Sequence, residues 1–155
     1  MITRTTEAAF RILVYLETHG HGVPVPLQHL AKEMGGSPSY LAKVANLLVR
    51  GGILESQRGA QGGLLCTPAT GETSLLRVVE ICQGMPEAAY CETKIAPGIR
   101  PCSYHVVMAD LHAAIIRTLG GRTVSDLARR PHGCDRHGTP LGTCRMCHGE
   151  DCTRS

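Results

Sequence analysis

Two short apolar-periodic segments, separated by three small residues, set the strongest limit on how this chain can fold. Leu27, Leu30, Ala31 and Met34 recur at i, i+3, i+4 and i+7, and Leu41, Val44, Ala45 and Leu48 repeat that spacing after Gly35-Gly36-Ser37. Each set is the apolar stripe of one amphipathic helix. The punctuation agrees: Pro26 fits the first turn of the earlier helix and Gly35 its C-terminal stop. Ser37 is a good N-cap for the later helix, Pro38 suits its first position, and Gly51-Gly52 ends it. Two short helices joined by a brief glycine-containing turn predict a helix-turn-helix.

The flanking sequence extends this pattern. Ala9, Ile12, Leu13 and Leu16 predict a helix before it, and Leu75, Val78, Val79 and Cys82 predict one at about 75 to 83. Between them, Ile53 to Arg58 and Leu64 to Thr67 flank the loop Gly59-Ala60-Gln61-Gly62-Gly63, which reads as a β-hairpin. A hairpin directly after a helix-turn-helix is a wing. The expected fold class is mainly α with a small β-hairpin wing: a winged helix-turn-helix plus a long dimerisation helix.

Four segments organise the chain. Residues 1–83 form the winged DNA-binding unit. Residues 84–102, broken by Pro86, Pro97, Gly98 and Pro101 and bracketed by Cys91 and Cys102, read as a loop. Residues 103–130 hold a longer helix and a short last one. In the longer helix Tyr104, Met108, Leu111, Ile115 and Leu119 make a seam, with Val107 and Ala114 beside it, suited to a partner helix such as its own copy. Thr123 and Asp126 have the spacing of a capping arrangement for the last helix. Residues 131–155 are rich in Gly, Cys, His and charge and have no apolar period.

Composition narrows the function classes. The 155 residues are 43% hydrophobic and only 3% aromatic, with no Trp and a single Phe, Phe10. The core must therefore be aliphatic. A net charge of +3 is compatible with DNA without requiring it. No apolar run reaches the length of a membrane span, and the N-terminus has no signal-peptide pattern, so the reading expects a cytoplasmic protein without a membrane partner. In that compartment eight cysteines point to metal or redox chemistry rather than structural disulfides.

Candidate DNA-binding residues lie on the second helix of the helix-turn-helix and on the wing. Ser37, Pro38, Ser39 and Tyr40 stand at that helix's N-terminus, where hydroxyls and free backbone N–H groups can meet phosphates or base edges, and Lys43 follows a turn later. Arg58, Gln61 and Gly62 belong to the wing, where glycines allow close approach and Arg58 suits a narrow minor groove. Taken singly, Ser37 is only a cap and Arg58 only a solvated charge; the ordered set is what points to DNA.

With those residues in place, the chain resembles the Rrf-type winged-helix regulators. The likeness is carried by Ser37-Pro38-Ser39-Tyr40-Leu41, by Arg58-Gly59-Ala60-Gln61-Gly62-Gly63, by Thr73 to Val79, and by Thr123-Val124-Ser125-Asp126-Leu127. It covers about residues 1 to 130, and the wing is its most specific part. The family includes the iron–sulfur cluster regulator, the nitric-oxide-sensing repressor and the cysteine-metabolism repressor. The resemblance implies a homodimer joined by the long helix and bound to palindromic double-stranded DNA. Cluster-binding members hold iron in the loop before that helix, commonly with three cysteines and sometimes a following histidine. Here Cys91 and Cys102 match the first and last cysteines and His105 follows, while Lys94, Ile95, Ala96 and Pro97 occupy the middle region. Glu7 matches the carboxylate ligand that some members supply from the first helix, in a dimer from the other subunit. The set Cys91, Cys102, His105 and Glu7 suits a small iron–sulfur cluster, 2Fe–2S favoured over 4Fe–4S. The competing reading is two free thiols, a reversible disulfide, or repression through a protein partner.

The tail adds Cys134, Cys144, Cys147 and Cys152. The Cys144/Cys147 C-x-x-C pair is a tetrahedral-metal knuckle, so zinc ordering a segment without a core stands against a plain cysteine-rich tail. Another option is that a tail thiolate replaces the missing loop cysteine. Cys144 to His148 also matches a haem-attachment pattern, whose chemistry needs export. A thiol–disulfide enzyme is disfavoured because the pair lacks a thioredoxin-like strand and helix around it. His29 reads as an exposed polar histidine, Cys82 as core, and Cys66 carries no assignment.

Overall fold

The computed structural model describes residues 2–20, 22–59, 61–85 and 100–129. Its elements are α1 (Arg4–His19), α2 (Leu27–Met34), α3 (Pro38–Arg50), β1 (Leu54–Gln57), β2 (Gly63–Cys66), α4 (Leu75–Gln83), α5 (Ser103–Gly120) and α6 (Val124–Ala128). Cys91, Cys134, Cys144, Cys147 and Cys152 lie outside the described residues.

Helix α1 starts because the Thr3 hydroxyl accepts from the Thr6 backbone N–H, which satisfies one orphan donor of the first turn. Ala8, Ala9, Ile12, Leu13, Val14, Tyr15 and Leu16 are all buried, so its apolar surface is far wider than one stripe. It packs on α3, α4, α6 and β2. The core is aliphatic, as the composition requires, with Leu30, Leu48, Leu54, Val44, Val78 and Val124 sealed around Ile12 and Leu13.

The helix-turn-helix forms as its glycines and apolar spacing predict. Gly35 adopts φ +62°, the left-handed conformation that ends α2, and its N–H bonds Ala31 and Lys32 carbonyls. Pro26 differs from expectation by one position. At ψ 136° it is extended, so it caps α2 from outside the first turn. The two hairpin strands pair antiparallel with Leu54 opposite Cys66 and Gln57 opposite Gly63. A third short partner was not apparent from the sequence. Val25 and Leu64 exchange both backbone hydrogen bonds at 2.9 Å and tie the wing to the chain just before α2. A Cβ on Gly63 would stand 2.3 Å from the Val25 carbonyl oxygen, so this close approach requires glycine.

The long helix is attached at one end. The Leu75 N–H donates to the Arg122 carbonyl, Val124 to Thr73 and Ser125 to Gly71, fastening the start of α6 beside the start of α4. No residue of α5 is buried. Tyr104, Val107 and Leu111, spaced i, i+3 and i+7, are half or more exposed along one face. The single seam expected on this helix is in fact divided. Ile115 and Leu119 instead line a cavity of about 480 Å³ with Ile2 and Val79, and Leu119 packs against the core.

Thr123 and Asp126 form a full capping box. The Thr123 backbone N–H, chiefly, holds the Asp126 carboxyl below its ordinary value of 3.8, with Arg129 and Arg122 adding to it. A carboxyl lowered in this way stabilises the fold above that value, and the contribution fades as pH falls through the lower folded value. Thr123→Ala should cost about 1 kcal/mol in urea denaturation at neutral pH. The stability gap between wild type and Asp126→Asn should narrow below pH 3.8 and be constant above it.

Candidate nucleic-acid interface and sensor residues

The first turn of α3 is open. Ser37 sits at the N-cap in extended conformation, yet its side chain makes no capping bond. Its hydroxyl is engaged instead with the Ser39 hydroxyl at 2.9 Å. The early backbone N–H groups of α3 therefore have no side-chain cap and remain available to an anion. Ser37, Pro38, Ser39 and Tyr40 are all exposed, as is Lys43 a turn later.

Arg58 and Gln61 are exposed on the wing. Among the described residues neither Lys43 nor Arg58 is held in an ion pair. Gly62 has a steric role within the wing. A Cβ there would stand 2.3 Å from the Gln57 carbonyl oxygen, and its N–H closes the turn onto Gly59 at 3.0 Å. Tyr40 turns partly inward. It lines a cavity of about 710 Å³ with Arg4, Glu7, Arg11 and Gly35, between the start of α1 and the helix-turn-helix. Sequence reasoning missed Arg11, whose Nη2 donates to the Met34 carbonyl at 3.0 Å and ties α1 to the end of α2. Its only sequence signal is its place one turn after Glu7.

Cys102 is the N-cap of α5, an exposed free thiol whose carbonyl accepts the Val106 N–H at 3.2 Å. His105, three residues on, shares that end of the helix and is half-buried. Glu7 is half-buried in the first turn of α1. Among the described residues no three His, Cys, Asp or Glu side chains converge on a metal position, so Glu7, Cys102 and His105 are not brought together within one chain. The donor types nevertheless fit iron: an accessible thiol and an imidazole three residues apart, with an acidic side chain on another element.

Among the described residues the other two cysteines pack against the protein, and His29 has a hydrogen-bond partner. Cys82 is half-buried against the core, and burial pushes its thiol up. Cys66 is pushed up to about 11 by burial and then by the neighbouring Glu17 carboxylate. Glu17 in turn accepts from the Ser125 hydroxyl at 3.2 Å. His29 is exposed, with Nε2 2.9 Å from the Tyr15 hydroxyl. At pH 8 a thiol with a pKa near 11 is only about 0.1% thiolate. Iodoacetamide should therefore label Cys102 at least about tenfold faster than Cys66 in the native protein, as read by peptide mass spectrometry. Equal rates would contradict this description of Cys66.

The comparisons with known proteins bear on this arrangement. The family described as Rrf2, iron-dependent transcriptional regulator, matches residues 2–130. An HTH-type transcriptional regulator IscR from Erwinia tasmaniensis is 29% identical over 126 residues, 79% of this chain and 76% of that protein. An HTH-type transcriptional repressor NsrR from Streptomyces coelicolor is 28% identical over 134 residues, 85% of this chain and 90% of that one. The solved structure of CymR, the global cysteine regulator of B. subtilis, aligns with TM-score 0.67 at 22% identity, covering 83% of this chain and 96% of the other. At that identity it supports the winged-helix fold alone.

Proposed function

The chain belongs to the Rrf2 family of transcriptional regulators, and from that premise we propose that it is a homodimeric repressor whose grip on palindromic DNA is set by iron bound to its own thiols. The observation that carries the DNA half is the uncapped, exposed first turn of α3, with Lys43 following it and Arg58 on the adjoining wing. The exposed stripe Tyr104, Val107 and Leu111 supports a second copy along α5, because an apolar face of this kind gains stability by leaving water. Two α3 helices in such a dimer address successive major grooves about one helical turn apart. Action on DNA places the protein in the cytoplasm in this reading; separately, no described helix is long and apolar enough to cross a membrane.

Cys91, Cys102 and His105 would hold the iron, with Glu7 contributed by a second copy. A 2Fe–2S cluster is favoured, since two thiolates, one imidazole and one carboxylate suit a small cluster. The bound group would supply a centre sensitive to oxidation or to added ligands. The chain's own part is mechanical. Cys102 stands at the head of α5, Glu7 stands in the first turn of α1, and α1 packs on α3. A group held between those two helix starts would link the head of α5 to α3 through the buried packing of α1. Such a device switches only if the two states differ in DNA affinity; a difference of ~2 kcal/mol corresponds to about thirtyfold.

A second reading, a thiol switch without iron, is favoured by the accessible free thiol of Cys102. For the tail we propose a separate structural zinc on Cys134, Cys144, Cys147 and Cys152, supported by the C-x-x-C spacing of the central pair. Anaerobic purification distinguishes the two sensor readings. Brown protein containing iron and sulfide, both lost in Cys91→Ala and Cys102→Ala, is the expected result. Colourless protein whose DNA affinity changes with oxidant would replace iron with the thiol switch. Binding to a duplex selected from random sequence should weaken steeply with salt, and Lys43→Ala and Arg58→Ala should each lower the slope of log affinity against log salt by about 1. A flat salt dependence would contradict the DNA half.

A further inference from the structure

The first turn of α1 is closed by a ring of hydrogen bonds that depends on a residue far away in sequence. The Thr6 backbone N–H donates to Thr3 Oγ1 at 3.3 Å. Thr6 Oγ1 donates to Gln83 Oε1 at 2.7 Å, and the Thr3 backbone N–H donates to that same oxygen at 2.9 Å. Thr3 Oγ1 and Thr6 Oγ1 are 3.0 Å apart. A hydroxyl carries one proton, and that of Thr6 goes to Gln83, so the Thr3 hydroxyl must donate to Thr6. Every proton in the ring then has one direction, and the ring closes on the Gln83 carbonyl oxygen.

The placement of Gln83 gives this ring a consequence. Gln83 is the last residue of α4, and Gly84 follows at φ +82°, ψ 168°, a backbone conformation suited to glycine, so the chain leaves the helix there toward the cysteine-bearing segment. Thr6 is fully buried, so its hydroxyl has little alternative in water if Gln83 withdraws. Glu7 comes directly after Thr6, and its own N–H bonds the Thr3 carbonyl at 2.9 Å. One turn further, Arg11 holds the Met34 carbonyl at the end of α2.

We propose that Gln83 is a positioning residue for the sensor: its side-chain oxygen pins the first turn of α1, and hence Glu7, to the point where the cysteine segment leaves α4. The inference rests on the iron-responsive reading above and assigns the residue through which the root of that segment is coupled to α1. Gln83 touches neither DNA nor iron in this role. Gln83→Leu removes the acceptor. Gln83→Glu keeps an oxygen that can accept both bonds, and its charge, favourable at the N-terminus of α1, is offset by its place at the C-terminus of α4.

Two measurements on the full-length protein test it. In iron-free protein, Gln83→Leu should speed hydrogen exchange at the Thr6 and Glu7 amides at least about tenfold, with the Leu48 amide of α3 unchanged and Gln83→Glu close to wild type. With protein reconstituted anaerobically from ferrous iron and sulfide, the ratio of iron-loaded to iron-free affinity for a selected duplex should shrink about fivefold or more in Gln83→Leu and recover in Gln83→Glu, while iron-free affinity stays within about twofold. Thr6→Val, which keeps the buried volume and removes the donor, should reproduce Gln83→Leu and serves if that variant does not fold. Unchanged exchange at α1, or an unchanged ratio, overturns the proposal. A wild-type ratio of one overturns the iron-responsive reading itself and the coupling with it, whereas unchanged exchange overturns the positioning alone.

Discussion

Burial of α1 on most of its circumference is the constraint on which the rest of the structure depends. Ile12 and Leu13 are wholly excluded from solvent and Leu16 nearly so. Each fully buried aliphatic side chain contributes roughly 1.5–3 kcal/mol of transfer free energy. Because α3, α4, α6 and β2 all pack on this one helix, no one of them can shift far without disturbing contacts made by another. Helix α3, the wing and the last helix are thus all set relative to α1, and α3 also packs directly on β1 and α4. Polar groups adjust that arrangement at the edges of the core. Arg11 ties α1 to α2, Glu17 meets Ser125 of α6, and Thr70, fully buried, donates to the Ile53 carbonyl beneath the hairpin.

The two ends of α5 are treated differently. Its C-terminal end is held by backbone hydrogen bonds between residues 71–75 and 122–125. A Cβ on Gly71 would fall 2.5 Å from Ser125 Oγ and 2.7 Å from Glu17 Oε1, so a side chain there would displace the polar groups that meet at that junction. Its N-terminal end carries Cys102, exposed, with no side-chain capping bond. Between them lies a helix with no buried residue and an apolar face turned outward. In the switch proposed above, α5 would act as a lever fixed at its C-terminal end, with the exposed Cys102 thiol at the other end and an apolar side open to a second copy.

Much of this fold was legible in the sequence because it is written in local, strongly periodic signals. The stripes of α1 to α4, the left-handed glycine after α2, the Ser37-Pro38 start of α3 and the Thr123/Asp126 capping box are each decided by residues within one or two turns. What stayed hidden depends on partners far apart in the chain. Val25 pairs with Leu64, thirty-nine positions further along the chain, and nothing at Val25 marks it as a strand. No local pattern marks Gln83, whose partners Thr3 and Thr6 lie 80 and 77 positions away. Cys66, to which the sequence lent no role, is a half-buried neighbour of Glu17 because the wing root folds back against α1. The candidate DNA-binding residues share one helix start and the wing, but the structure gives two of them further roles: Gly62 is required by the turn, and Tyr40 faces the cavity beside Glu7 as well as solvent. The candidate iron ligands are legible only as donor types at suggestive positions: among the described residues no three of them converge.

The central claim is that iron held by this chain's thiols changes how well a pair of α3 helices fits a duplex. Its most direct test is a single titration of one anaerobic sample against one selected duplex, repeated after the iron is stripped with a chelator and again after it is restored. The account predicts a reversible change of affinity of about tenfold or more that follows the iron content. An affinity that stays the same through removal and restoration, in a protein shown to have carried iron, would contradict it.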